Sequence, residues 1–498
     1  MTAVGLRQAA RQLRLAPAAL ALGAGALLSL ALAPWHVLWL VPLALAAAGR
    51  LVLGAASARA AALAGWLYGL GYFSFGLSWI IEPFQIDPER HAWMAPFALV
   101  LLAAGLALYW GLAFGLAARF ARGAWRLPAL AAAWGLAEFA RAYLLTGFPW
   151  AAFGQFWIDT PAAGLLAWTG PHGLAFLTLA ACLPLALLPQ RPLAALLPGA
   201  LSGALVLALP APALPPDTAT TVRIVQPNAP QDQKWDPEQR WEFVRRMIAF
   251  SAEGPRPDLI VWPETAVPQL LNHAEETLAV IAEAAQGTPV LLGIQRAAAG
   301  RYYNSAVLID ETGAVQGTYD KAHLVPFGEY VPFGDLMARF GIHGFATQAG
   351  AGYAAGEGAQ LLPLPGGMAL PLICYEAVFP QDLRPGTRPA MLVQITNDAW
   401  FGTRSGPYQH LVQARMRAIE QGLPMLRAAN TGVSAVITPD GALRESLALG
   451  EAGYFDAALP GALPATLYGR TGDWPAFALC LLAGVFSLLG ARRLAPRS

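Results

Sequence analysis

A chain of 498 residues that is 56 % hydrophobic and 13 % charged, with a formal net charge of +1, is too apolar and too charge-poor for an ordinary water-soluble protein. The near-zero charge, with arginines in short clusters, leaves no electrostatic case for nucleic acid. Three cysteines and seven scattered histidines point to neither a disulfide framework nor a metal site, and nothing calls for a cofactor.

A helix needs roughly 20 mainly apolar residues to cross a bilayer. By that rule spans are expected near 15–33, 36–56, 60–80, 94–117, 127–146, 163–188 and 193–209, with an eighth near 474–491. Residues 1–212 thus read as a membrane domain with seven transmembrane helices. Before residue 217 its acids are Glu82, Asp87, Glu89, Glu138 and Asp159.

Arginine placement predicts the orientation. Arg7, Arg11 and Arg14 precede the first span, Arg50 and Arg59 lie around the second turn, and Arg119, Arg122 and Arg126 follow the fourth. Arg191 separates the sixth and seventh, and Arg492, Arg493 and Arg497 close the chain. Every second loop is therefore basic, as cytoplasmic loops are. Both termini are expected in the cytoplasm and residues 210–473 on the outer face. In the fifth span, Glu138 and Arg141 are three apart and can pair. Such a pair is either functional, the default for ionisable groups in lipid, or a structural device that orients the helix. Phe148 and Trp150, in G-F-P-W near the outer interface, are equally candidates for aromatic anchors.

Residues 218–460 change character. T-V-R-I-V-Q (221–226), D-L-I-V-W-P (258–263), P-V-L-L-G-I (289–294), S-A-V-L-I-D (305–310), A-L-P-L-I-C-Y (369–375), A-M-L-V-Q-I-T (390–396) and S-A-V-I-T-P (434–439) predict strands. Pro237–Ala252, Ala274–Gln286 and Gln409–Gln421 predict helices. D-E-T-G (310–313) and T-P-D-G (438–441) have the composition of hairpin turns. The expectation is an α/β sandwich outside the membrane. Between Gly328 and Gly358 a loop carrying Phe333, Leu336, Phe340 and Phe345 has the length and grease of a lid, or else folds over the domain's own core.

Chemistry is concentrated in a few residues. Only two of the thirty-two basic side chains are lysines, and one of them, Lys321, stands in Y-D-K-A-H-L-V-P-F-G-E. A chain that otherwise writes arginine keeps lysine where a compact ammonium is needed. Cys374, in L-I-C-Y-E-A, ends a strand-like run and precedes two polar residues. A cysteine in an apolar run is more often inert, but this position delivers a side chain into a cleft. With Glu264 in D-L-I-V-W-P-E-T-A, the three read as a thiol nucleophile, a cation and a base.

W-P-E (262–264), K-A-H-L-V-P-F-G-E (321–329), C-Y-E (374–376) and N-D-A-W-F-G (397–402) together resemble the nitrilase superfamily, which implies an αββα sandwich with a Glu-Lys-Cys triad. Adding the multi-span N-terminal part, G-F-P-W, Q-P-N-A-P-Q-D-Q-K-W-D-P (226–237) and R-T-G-D-W-P before the last span, nearly the whole chain resembles the apolipoprotein N-acyltransferases. That resemblance implies Cys374 as nucleophile, Glu264 as base and Lys321 as the cation at the reacting carbonyl. It also implies Glu329 as an assisting acid, or as a lid anchor, and Trp235, Tyr375, Glu376, Trp400 and Trp150 as supporting or substrate-binding residues. The implied partners are a phospholipid acyl donor and a diacylglyceryl lipoprotein acceptor, met by a monomer in the cell inner membrane with its catalytic domain facing the periplasm. The rival expectation is a membrane-tethered carbon-nitrogen hydrolase, an amidase using the same triad with water as acceptor. A transporter or receptor is disfavoured because the spans show no clear internal repeat.

Overall fold

The structure, a computed structural model, describes residues 17–332 and 352–493. The chain divides into two compact units, Met1–Ala211 with Leu467–Ser498, and Pro212–Thr466.

The first unit is helical, and a helix falls on each expected span. Pro88–Phe120, Pro161–Leu187 and Trp474–Arg492 are long and apolar enough to cross a membrane, and Ala58–Gly76 with Ser78–Gln85, bent by 46°, makes a fourth if counted as one span. Pro17–Ser29, Leu40–Gly54 and Pro192–Ala208 are apolar but shorter. Arg126–Tyr143 dilutes its apolar run with Arg126, Glu138 and Arg141. Among the described residues the expected eight full-length spans are thus eight helical segments, of which three or four are long and apolar enough to cross a membrane. Hydropathy cannot see where turns interrupt an apolar run, as they do after Ser29 around Pro34.

Small residues let these helices touch. A Cβ at Gly25 would stand 1.9 Å from the Tyr68 carbonyl oxygen, and one at Gly71 would stand 2.1 Å from that of Leu22, so Pro17–Ser29 and Ala58–Gly76 meet backbone to backbone. Beside them lies an aromatic nest in which the Trp110 ring sits 4.7 Å from Trp134 and 4.9 Å from Tyr72. Glu138 and Arg141 are buried there as a pair, 2.5 Å apart. Trp110 Nε1 donates to Glu138 at 2.7 Å, while Arg141 donates to the carbonyls of Phe148 and Trp150. The pair is consumed within the unit, holding the G-F-P-W turn against the helix. Of its two expected roles, the structural one accounts for these contacts.

The second unit is built from two sheets. In chain order the strands are β1 (Thr221–Gln226), β2 (Leu259–Val261), β3 (Val267–Leu270), β4 (Val290–Ala298), β5 (Arg301–Ile309), β6 (Val315–Asp320), β7 (Leu362–Leu364), β8 (Gly367–Ile373), β9 (Met391–Thr396), β10 (Met425–Ala429), β11 (Ser434–Ile437), β12 (Leu443–Leu447) and β13 (Gly453–Ala458). One sheet runs β13-β1-β2-β4-β5-β6 with β3 beside β4, and the other runs β12-β11-β10-β9-β8-β7. Helices Arg240–Ala252 and Glu275–Ala284 pack Val244, Met247, Leu278 and Ile281 onto the first sheet. Helix Gly406–Gln421 packs Leu411, Ala414 and Ala418 onto the second. The result is the αββα layering expected from the sequence.

All seven expected strands are present, and both turn motifs close antiparallel hairpins, β5–β6 and β11–β12. Each sheet also has a parallel centre: β1, β2 and β4 in one, and β8, β9 and β10 in the other. Side chains just past the C-terminal ends of such strands face a crevice that no ladder fills, and that is where the candidate site lies.

Candidate active site

Glu264 follows β2 by three residues, with Trp262 buried in the core behind it. Its backbone lies on Gly293 of β4, where a Cβ would stand 2.6 Å from the Glu264 Cα and 2.5 Å from the Thr265 nitrogen. Both carboxylate oxygens are engaged. Oε1 accepts from Asn304 Nδ2 at 2.7 Å, and Oε2 accepts from the Asn397 backbone N–H, just past β9, at 2.8 Å.

Lys321 immediately follows β6, and its ammonium is buried 2.9 Å from Glu329 Oε1 and 3.6 Å from Glu264 Oε1. Burial works against its charge, but the carboxylates of Glu329 and Glu264 outweigh it and hold the ammonium well above the ordinary lysine range. Glu329 is fixed in turn: Oε1 also accepts from Asn304 Nδ2 at 3.2 Å, and Oε2 accepts from the Val325 N–H at 2.9 Å. Asn304 therefore bridges the two acids that flank the lysine.

Cys374 is the residue at which β8 ends and the tight helical turn Cys374–Val378 begins. It adopts φ 52°, in the left-handed region, a conformation costly for a side chain with a Cβ and kept only where its surroundings enforce it. Burial pushes its thiol well above the ordinary range and Glu264 adds to that, while Lys321 and a hydrogen bond with Thr396 pull the other way without prevailing. At rest the sulfur is protonated, so nucleophilic use requires a base at the moment of attack.

Glu376 staples this turn to the lysine loop. Its Oε2 accepts from the Ile373 N–H at 2.7 Å. Its Oε1 accepts from Tyr319 Oη and the Ala322 N–H, both at 2.8 Å, and from the His323 N–H at 3.2 Å. Burial raises the carboxyl above its usual range, with these donors working against it. The Tyr375 ring packs 4.9 Å from Phe379, onto which His323 stacks at 3.6 Å.

The second lysine arrives at the same place. Lys234 Nζ is buried and donates to the Glu264 carbonyl oxygen at 2.9 Å and to Thr265 Oγ1 at 2.8 Å. Burial lowers it to about 8, against the attraction of Glu264 and Cys374. Its loop is pinned by Gln231, which accepts from Asn397 Nδ2 at 2.7 Å, and by Ala229, which exchanges two hydrogen bonds with Asn430. Thr265 itself sits at φ 45°, so the turn after Glu264 is held from outside rather than by its own preference.

Among known proteins, the Carbon-nitrogen hydrolase family profile matches residues 221–462, and that of the Apolipoprotein N-acyltransferase N-terminal domain matches residues 24–183. An apolipoprotein N-acyltransferase of Bradyrhizobium diazoefficiens is 40% identical over 518 residues, covering 96% of this chain and 96% of that protein. One from Rhodopseudomonas palustris is 39% identical over 523 residues, covering 95% of each. This chain belongs to the apolipoprotein N-acyltransferase family. Its second unit has the carbon-nitrogen hydrolase, or nitrilase-like, fold.

In this N-acyltransferase family member the structure gathers Glu264, Lys321, Cys374, Glu329, Tyr375 and Glu376 at the strand ends. Trp235 is half-buried on the Lys234 loop, its ring 5.9 Å from the Lys234 ammonium, and Trp400 is half-buried on the turn Asp398–Phe401. Trp150 belongs to the helical unit. There it is fully buried 4.4 Å from Trp79 rather than set at a surface as an aromatic anchor. Phe333, Leu336, Phe340 and Phe345 lie outside the described residues. No group of His, Cys, Asp and Glu able to hold a metal ion occurs among the described residues.

Sequence reasoning missed Asn304, Asn397 and Lys234. The scarcity argument that singled out Lys321 applies equally to Lys234. Asn397 opens the N-D-A-W-F-G motif, but nothing in the sequence says what it or Asn304 touches, since both contacts join segments distant in the chain.

Proposed function

We propose that this protein transfers an acyl chain from a phospholipid to the free α-amino group of a diacylglyceryl-cysteine at the start of an apolipoprotein, through a thioester on Cys374. The observation that carries the reading is the arrangement of Glu264, Lys321 and Glu329 around a single buried site at which Cys374 presents a protonated thiol.

In the first half-reaction Glu264 takes the thiol proton as sulfur attacks the ester carbonyl carbon. The Lys321 ammonium and a backbone N–H following Cys374 stabilise the oxyanion. Collapse breaks the ester C–O bond, and the leaving lysophospholipid oxygen recovers the proton from Glu264. In the second half-reaction the amine nitrogen attacks the thioester carbonyl and Glu264 takes a proton from it. The C–S bond then breaks and the sulfur is reprotonated, leaving an amide and free enzyme. Glu329 keeps Lys321 charged and in place. Both substrates are lipids, which supports a chain of eight spans in the inner membrane, with both termini inside and residues 218–460 on the periplasmic face.

Incubating the purified protein with phospholipid alone tests this. The expected result is an acyl mass increase on the Cys374 peptide that is lost on adding a diacylated lipoprotein substrate. An active preparation that never carries the adduct rules the thioester out. Release of free fatty acid, with no transfer to the amine, would instead favour the hydrolase.

A further inference from the structure

Against the backbone carbonyl of Cys374 lies a polar cluster that the chemistry above does not use. His410, Asp398, Gln394 and Arg427 are all fully buried. His410 Nδ1 lies 2.8 Å from Asp398 Oδ1, and Arg427 Nη2 donates to Asp398 Oδ2 at 2.5 Å. The far ring nitrogen, His410 Nε2, lies 3.0 Å from the backbone carbonyl oxygen of Cys374. Gln394 Nε2 donates to the same oxygen at 3.1 Å and lies 3.0 Å from His410 Nε2, while Arg427 donates to Gln394 Oε1 and so fixes which way that amide faces.

An Asp–His pair beside a catalytic cysteine invites the reading of a proton relay, yet it addresses the wrong atom. His410 meets the carbonyl of Cys374 and not the sulfur, which the cluster reaches only through Thr396, whose hydroxyl donates to Asp398 Oδ1 at 2.9 Å and hydrogen-bonds with the thiol. Burial would raise the Asp398 carboxyl, but Arg427 and His410 hold it down at about 2, so the aspartate is a fixed anion. With Nδ1–H given to Asp398, Nε2 has two options. It takes the second N–H of Gln394, or as imidazolium it donates to the Cys374 carbonyl itself. In both states the carbonyl is held.

That carbonyl shares a planar peptide unit with the Tyr375 N–H, which points the opposite way. We propose that His410, braced by Asp398, is a positioning residue that locks the Cys374–Tyr375 peptide plane and so aims the Tyr375 N–H at the oxyanion. The left-handed φ of Cys374 is the reason a lock is needed, since a relaxed backbone would rotate this plane. The cluster is fitted closely enough to require glycine opposite it: a Cβ at Gly432 would stand 2.2 Å from Asp398 Oδ2.

The inference rests on acyl transfer through Cys374, and the experiment separates the two. Full-length wild type and His410→Asn, His410→Gln, Gln394→Met and Cys374→Ala variants are compared for kcat and KM of acyl transfer, thermal midpoint, and alkylation of Cys374 by iodoacetamide. Asparagine can reach Asp398 but not the Cys374 carbonyl, whereas glutamine places an amide near the Nε2 position. His410→Asn is expected to lose about 100-fold in kcat, the scale of a lost oxyanion donor, with KM and alkylation near wild type. His410→Gln is expected to recover to within about tenfold of wild type. If His410→Asn does not fold, Gln394→Met tests the same carbonyl and should lose kcat alone.

Full kcat in whichever of His410→Asn and Gln394→Met folds overturns the lock. A folded His410→Gln as inactive as His410→Asn overturns it in favour of proton transfer by the imidazole. Activity in Cys374→Ala would sink the acyl-transfer reading itself, whereas an inactive Cys374→Ala beside a fully active His410→Asn removes only the lock.

Discussion

Lys321 lies closer to Glu329, at 2.9 Å, than to the Glu264 carboxylate it would have to leave free for catalysis. Glu329 thus neutralises the buried ammonium, so that Glu264 need not be its main counter-ion. Glu329→Gln removes that charge while preserving shape and the bond from Val325. Lys321 should then draw onto Glu264 and weaken it as a base. A loss of about 100-fold in the single-turnover rate of Cys374 acylation is expected. An unchanged rate would reduce Glu329 to an anchor for the loop that follows it.

Lys321→Arg keeps the charge and tests the size of the site. The side chain is almost wholly buried between two carboxylates, and a planar guanidinium needs a wider cradle than an ammonium. Acyl transfer should fall by about 1,000-fold or more with the protein still extractable and folded. Retained activity would remove the argument that lysine is chosen there for its compactness.

Burial keeps the Cys374 thiol protonated even with Lys321 close by. In Glu264→Gln, with no base to assist, iodoacetamide alkylation of Cys374 should keep accelerating as pH rises through 9. A thiol whose pKa lies above the ordinary value yields thiolate only on the alkaline side. A plateau near pH 7 would show a pre-formed thiolate and make a general base unnecessary.

Lys234 carries its charge below about 8 and loses it above, well short of the ordinary lysine value. Lys234→Met should therefore cost most at pH 6–7, where the ammonium faces Glu264 and Cys374, and progressively less above 8, where wild type has also lost that charge. The wild-type to variant ratio of acylation rates across pH is the measurement. A flat ratio would leave Lys234 with a purely steric role.

Glu376→Ala strips four donors of their shared acceptor. With two of these hydrogen bonds buried and two partly buried, a stability loss of about 3 kcal/mol is expected, read as a fall in thermal midpoint. Glu376→Gln, which keeps one acceptor oxygen, should recover part of it.

Much of this was legible in the sequence because the informative residues announce themselves locally. W-P-E, L-I-C-Y-E and the lone lysine after Y-D each combine a strand signal with a reactive group at its end. Among the strands missed, two have sequences that blur the signal. β10, M-L-R-A-A, buries Arg427, and β12, L-R-E-S-L, is a largely exposed edge. Asn304 and His410, and the role of Asn397 inside its motif, were opaque for another reason: each acts on a partner 36 to 133 positions away, and periodicity carries no record of such pairings. Helices fall where the spans were expected but their lengths differ, since a hydropathy window passes through Pro34 or Gly170 without registering the break there.

The contact of Glu264 with Gly293 has a consequence for anyone ranking positions by the chemistry of their side chains. Position 293 has none and would be passed over in a list of reactive groups. Yet a single methyl there would shove the base's own backbone aside. In a saturation screen it should behave like a member of the triad, intolerant of every replacement, and the fault would lie in steric exclusion alone.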